Sequence, residues 1–217
     1  MDGSTSRRLS IANPSETNLT ATVLDLDQRT LLLTAANTGT GTSTSTLAFA
    51  SQLAQMSAGA VLLIDANASA SAEGLSRQLG LGKLRGYSDL LFDLDTPPLA
   101  QDCVVHLSDQ PFDVLPAGTF ERGRQRLDPD RVRVLLRQFA AQYRFVVIDG
   151  EAVYASADSL TLGPLVDGVI LVVRAEQTRF EVAQAAAQRL AQAGAQLIGS
   201  VFNQRKYYMP KWLYDHL

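Results

Sequence analysis

Lysine is almost missing from this chain of 217 residues: of its 19 basic residues only Lys83, Lys206 and Lys211 are lysine, so none precedes position 83. A phosphate-binding loop that depends on a lysine cannot be built from that first stretch. Cysteine occurs once, at Cys103, which excludes an intramolecular disulfide and a cysteine-based zinc cluster and fits a reducing compartment. No apolar run approaches the roughly 18 residues of a membrane span, and the polar, Ser/Thr-rich stretch Met1 to Thr20 has no apolar segment of the secretory type. A cytoplasmic location is therefore expected, and the Asn-x-Ser/Thr matches at Asn18 and Asn67 are expected to carry no glycan. A net charge of -3 gives no broad basic surface, so nucleic acid is not an expected partner.

What is present is enough apolar residue, 46%, for one sizeable core. Short apolar runs alternate with helical patterns, which predicts an α/β fold: a mainly parallel, doubly wound sheet flanked by helices. The strand candidates are Leu31 to Ala35, Ala60 to Asp65, Phe112 to Leu115, Phe145 to Asp149, Gly168 to Arg174 and Gln196 to Phe202. Helices are expected from Asp128 to Tyr143, with Asp128 as cap and Pro129 in the first turn, and from about Thr178 to Ala193, with Gly194 as the stop. Residues 66 to 72 and 117 to 127 read as loops; in the second, Arg122, Arg124 and Arg126 are read as a solvated face, with phosphate contact as the alternative.

The stretch TGTGTSTST at 38 to 46 follows the first strand and opens a helix, where a doubly wound sheet places its ligand. A glycine-rich turn there exposes backbone N–H groups to an anion, and Ser43 or Thr44 offers a hydroxyl to magnesium. Against G-x-x-x-x-G-K-[ST] the first glycine is Ala36 and the lysine is Thr42, so an ordinary strand-to-helix turn stays open as a reading. Two further apolar strands, VLLID and FVVID, close on Asp65 and Asp149. Carboxylates at that rim can orient a magnesium-bound water, with a helix cap or a loop hydrogen-bonder as the alternative for either one alone.

On these segments the chain resembles the bacterial tyrosine kinases of capsule and exopolysaccharide export, a branch of the P-loop NTPases that includes the ParA and MinD type. The resemblance runs over about residues 10 to 205, through LLLTAANTGTGTSTST, VLLIDANAS, FDVLPAG, YRFVVIDGEAV, ADSLTLGPLVDGVILVVRAEQTR and GAQLIGSVFNQ. It implies a nucleotide site in which Gly39, Gly41, Thr42, Ser43 and Thr44 form the phosphate loop and Asn203 meets the base. Asp65 and Asp149 are its candidate catalytic residues. Magnesium, if nucleotide binds, would fall to Ser43, Asp65 and Asp149, and the implied cofactor is ATP or ADP.

Three departures stand against catalysis: Thr42 at the lysine position, Asn67 for the second aspartate of the VLLIDANAS segment, and Ser69, Ala70 and Ser71 where the family usually has Arg-Arg-Pro. Leu19 and Thr22 also occupy the arginine positions of the E-x-x-R-x-x-R assembly motif that begins near Glu16, which puts homo-oligomerisation by that route in doubt. The expectation is a degenerate, pseudokinase-like regulatory or scaffold module, peripheral at the inner face of the membrane, whose partner is a membrane-embedded polysaccharide chain-length or export protein. The alternatives are an active autokinase or ATPase, with an arginine such as Arg29 or Arg174 for the lysine, and a ParA-like positioning ATPase. Three parts are expected: an N-terminal segment with partial helix (1–25), the P-loop domain (26–203) and an aromatic, basic tail (204–217). In the tail, Tyr207, Tyr208 and Tyr214 suit phosphoacceptors, a docking surface, or a segment packed back on the domain.

Overall fold

Strands of unbroken apolar residues must be covered on both faces, and the computed structural model shows how; it describes residues 14–25, 28–57, 59–67 and 74–203. Strands β1 (Thr30–Ala35), β2 (Val61–Asp65), β3 (Val105–His106), β4 (Asp113–Leu115), β5 (Phe145–Asp149), β6 (Gly168–Arg174) and β7 (Leu197–Asn203) form one sheet in the order β3-β4-β2-β5-β1-β6-β7. All pairs are parallel except β3 with β4. The strands therefore end at one rim, the side on which such sheets bind ligands. The tail with its three tyrosines, and most of the segment after Asn67, lie outside the described residues.

Alternation along the strands divides the core in two. Leu31, Leu33, Phe145 and Val147 face α1 (Pro14–Asp25) and α2 (Thr42–Met56), which contribute Leu19, Val23, Phe49 and Leu53. Leu32, Val146, Ile148 and Leu171 face the opposite layer, where α5 (Pro129–Ala140) and α7 (Phe180–Gln192) bring Val132, Leu136, Phe139 and Leu190. Leu19, at an arginine position of the assembly motif, is thus spent on the chain's own core. Asp128 caps α5 as its sequence predicts, accepting from the Asp130 amide at 2.9 Å. Phe139, only 1% exposed, fills the second core layer. Its replacement by alanine is expected to cost about 3–5 kcal/mol in chemical denaturation.

The shorter helices α3 (Leu75–Gln78), α4 (Tyr87–Phe92) and α6 (Asp158–Leu162) have no counterpart in the apolar periodicity. Residues 117 to 127 do form a loop, but Arg122 is neither solvated nor open to phosphate. It pairs with Asp158 at the start of α6 and lies 5.5 Å from the centre of the Phe92 ring, pinning the loop across α4 and α6.

Candidate functional site

After Ala35 the chain turns through Ala36–Gly41 and begins α2 at Thr42. Gly39 and Gly41 hold φ of 75° and 81°, in the left-handed region that other residues rarely enter. A Cβ on Gly39 would meet nothing within 4 Å, so glycine supplies backbone direction there and not clearance. Gly41 offers α2 no side-chain cap, and the helix carries no acid in its first turn. The first amides of a 15-residue helix are thereby left for an outside acceptor.

The loop is braced by its own polar groups. Thr40 Oγ1 donates to the Asn37 carbonyl at 3.3 Å and lies 3.1 Å from Thr42 Oγ1. Asn203 reaches in from the end of β7, its Nδ2 donating to the carbonyls of Thr40 at 2.9 Å and Gly41 at 3.3 Å. The residue expected at the base thus holds the loop in shape. Ser43 and Thr42 are half-buried on the first turn of α2, and Thr44 is exposed.

Asp65 and Asp149 are in register on adjacent parallel strands, closing β2 and β5 side by side. The two differ in how they are satisfied. Asp65 accepts the amide and hydroxyl of Ser76 on one oxygen, at 2.8 and 2.5 Å, and the Asn67 amide on the other at 3.2 Å. Asp149 is fully buried; Thr46 donates to its Oδ1 at 3.1 Å, while its Oδ2 has no partner among the described residues. Burial first, and the Asp65 charge second, push the Asp149 carboxyl up to about 7, against the pull of hydrogen bonds from Ser43 and Thr46. Burial raises Asp65 as well, opposed by its bonds to Ser76 and Asn67.

An orphaned carboxylate oxygen beside a second carboxylate fits a hard divalent cation. Among the described residues no group of three or more His, Cys, Asp or Glu could hold a metal ion alone; magnesium is commonly held by one or two carboxylates and completes its shell with water and phosphate oxygens. Asp149 and Asp65, with the Ser43 hydroxyl, are the residues here that would hold it. Bound there, the ion would neutralise phosphate charge; the chain's own part is to fix the two carboxylates through Thr46 and Ser76. At position 42 there is no side-chain charge for a phosphate to meet.

Asp65 and Asp149 lie side by side at the rim, and Thr46 of α2 reaches the second of them; Thr46 and Ser76, the hydroxyls that hold the two carboxylates, are not among the residues singled out from the sequence. Thr46 stands one turn beyond Thr42 in the TSTST run, the one signal that pointed to it. Asn67 donates its amide to Asp65 and is half-buried at the same rim.

A mainly parallel sheet, a glycine turn opening a helix and two strand-end carboxylates define a P-loop NTPase fold of the MinD and ParA type. MinD from Pyrococcus horikoshii, solved with Mg-ADP, matches with a TM-score of 0.66 at 19% identity over 87% of this chain and 76% of that one, a likeness of fold. Within that fold the chain is similar to bacterial tyrosine kinase domains. The VpsO kinase domain matches at 28% identity and a TM-score of 0.71, over 88% of this chain and 96% of that domain. A stretch of 96 residues, 44% of this chain, is 30% identical to the tyrosine-protein kinase YwqD of Bacillus subtilis and spans 40% of that protein's length. No family model matches the chain. Among the described residues no helix is long and apolar enough to cross a membrane.

Proposed function

We propose that this chain is a tyrosine-kinase-like regulatory or scaffold module of exopolysaccharide or capsule synthesis, in which the nucleotide frame persists and phosphoryl transfer is lost. The observation that carries this reading is Thr42: it opens α2 where the lysine would stand, with its hydroxyl 3.1 Å from that of Thr40. Backbone amides can still cradle a phosphate, but charge developing during transfer meets no ammonium from the first turn of α2, where the family's lysine would reach it. Asn67 adds to the loss, since a carboxamide cannot take the proton of a tyrosine hydroxyl. The partner in this reading is a membrane-embedded chain-length or export protein, which would hold the module at the inner face of the membrane.

The test is direct. Purified protein incubated with Mg-ATP is expected to give no phosphotyrosine by immunoblot and no ADP release above buffer. Phosphate on Tyr207, Tyr208 or Tyr214 would overturn the reading. A second reading, a weak ATPase of the same pathway, draws on the in-register pair Asp65 and Asp149, and slow magnesium-dependent ADP release without phosphotyrosine would favour it.

A further inference from the structure

A cleft of about 400 Å³ opens beside the glycine loop, with Gly39 and Thr40 on one wall and Arg174, Gln177, Arg179 and Val182 on the other. That second wall is the turn between β6 and α7. It closes on itself: the Arg174 amide donates to Thr178 Oγ1 at 3.1 Å, and the Thr178 amide donates to the Arg174 carbonyl at 3.0 Å. Glu176 within it has φ 63°, the one positive value at a non-glycine position among the described residues. Held in this way, the Arg174 guanidinium reaches across the cleft to the Gly39 carbonyl at 3.4 Å. That contact uses one of its five N–H donors. Among the described residues neither Arg174 nor Arg179 is within ion-pair distance of a carboxylate, whereas Arg85, Arg122 and Arg133 each are.

Two guanidinium groups, without acidic partners among the described residues, give the wall between β6 and α7 the charge of an anion site, and the opposite wall, Asn37 to Thr40, leads into the uncapped first turn of α2. The volume is that of a small-molecule pocket and exceeds what one phosphate fills. We propose that Arg174 and Arg179 clamp the phosphates of a nucleoside di- or triphosphate in this cleft, supplying from the turn after β6 the positive charge that position 42 lacks. The inference rests on the nucleotide-fold reading above. It concerns binding alone and holds whether or not transfer occurs.

Isothermal titration of the full chain with Mg-ADP, Mg-ATP, inorganic pyrophosphate and adenosine tests it. Wild type is expected to bind both nucleotides. Arg174→Ala and Arg179→Ala are each expected to weaken that binding about tenfold, and the double variant about a hundredfold. Arg174→Lys should retain part of the affinity. Arg179 is exposed, so Arg179→Ala should melt with wild type and separates a binding defect from a folding one. Adenosine, lacking phosphate, should bind no differently to wild type and variants. Equal nucleotide affinity in wild type and the double variant, or no nucleotide binding by wild type, would overturn the clamp; pyrophosphate binding as tightly as Mg-ADP would overturn the nucleotide as its ligand. Phosphotyrosine formation, by contrast, would sink the regulatory reading and leave the clamp standing.

Discussion

Asp149→Asn is expected to raise the thermal midpoint at pH 8 by roughly 5–10 °C and to leave it nearly unchanged near pH 4. The reason is a carboxyl that the fold prefers neutral. Asp149 is fully buried, with one oxygen unpartnered among the described residues and Asp65 in register beside it, and its pKa is pushed up to about 7. The folded chain therefore keeps a proton that the unfolded chain gives up from pH 4 onward. Wherever the folded state binds the extra proton, stability falls as pH rises, so the loss accumulates between about pH 4 and 7 and is constant above. Its size is on the order of 4 kcal/mol at most, and a protein of this length moves by about 2–4 °C per kcal/mol. Asparagine removes the charge while leaving its new amide where Oδ2 was unsatisfied, so part of the gain is given back. Magnesium should act in the opposite sense, stabilising wild type at pH 8 more than the variant. A variant that melts below wild type at pH 8 in the absence of metal would show that the Asp149 carboxylate is not held at a cost.

The same burial explains which parts of the molecule were legible beforehand. FVVID and GVILVVR became strands with the expected bounds because every residue but the last of the second is buried, so composition alone decides them. The helix expected to run to Tyr143 stops at Ala140; Tyr143 leaves the helical path and donates its hydroxyl to Asp113 at 2.8 Å, a partner on β4. Helix α4 was invisible for a related reason. It stands where Gly86 passes so close to the Leu115–Gly118 segment that a Cβ would lie 2.0 Å from the Pro116 carbonyl, and no local periodicity records such an approach. The carboxylates of the site were readable because each closes an apolar strand. Their hydroxyl partners were not, since Thr46 meets Asp149 across 103 residues of chain and Ser76 meets Asp65 across 11. Local pattern gives the strands and the rim they share; pairing across the rim needs the fold.

Restoring both lost groups, with Thr42→Lys plus Asn67→Asp, is expected to produce the largest functional change. An ammonium about 4 Å from a phosphate oxygen has a gross attraction of roughly 4 kcal/mol at an effective dielectric near 20, before desolvation. Thr42 is half-buried on the first turn of α2, where a cation costs about 0.3–1 kcal/mol against the helix dipole, so attraction to the phosphate prevails over the dipole once nucleotide is bound. Thr42→Lys alone should therefore tighten Mg-ATP binding by about tenfold or more while slightly lowering the melting temperature of the free protein. Asn67→Asp alone should do the reverse of help: a third carboxylate beside Asp65 and Asp149 adds like charge to a pair already held above its ordinary pKa. Only together do the cation and the new base complement one another, the lysine on the phosphate and the carboxylate on the attacking hydroxyl. Phosphotyrosine formation should accordingly appear in the double variant and in neither single variant nor wild type. Equal phosphotyrosine from wild type and the double variant would mean that Thr42 and Asn67 are compatible with transfer and that the site has not decayed; its absence from a double variant that binds Mg-ATP tightly would place the lost step elsewhere than at these two positions.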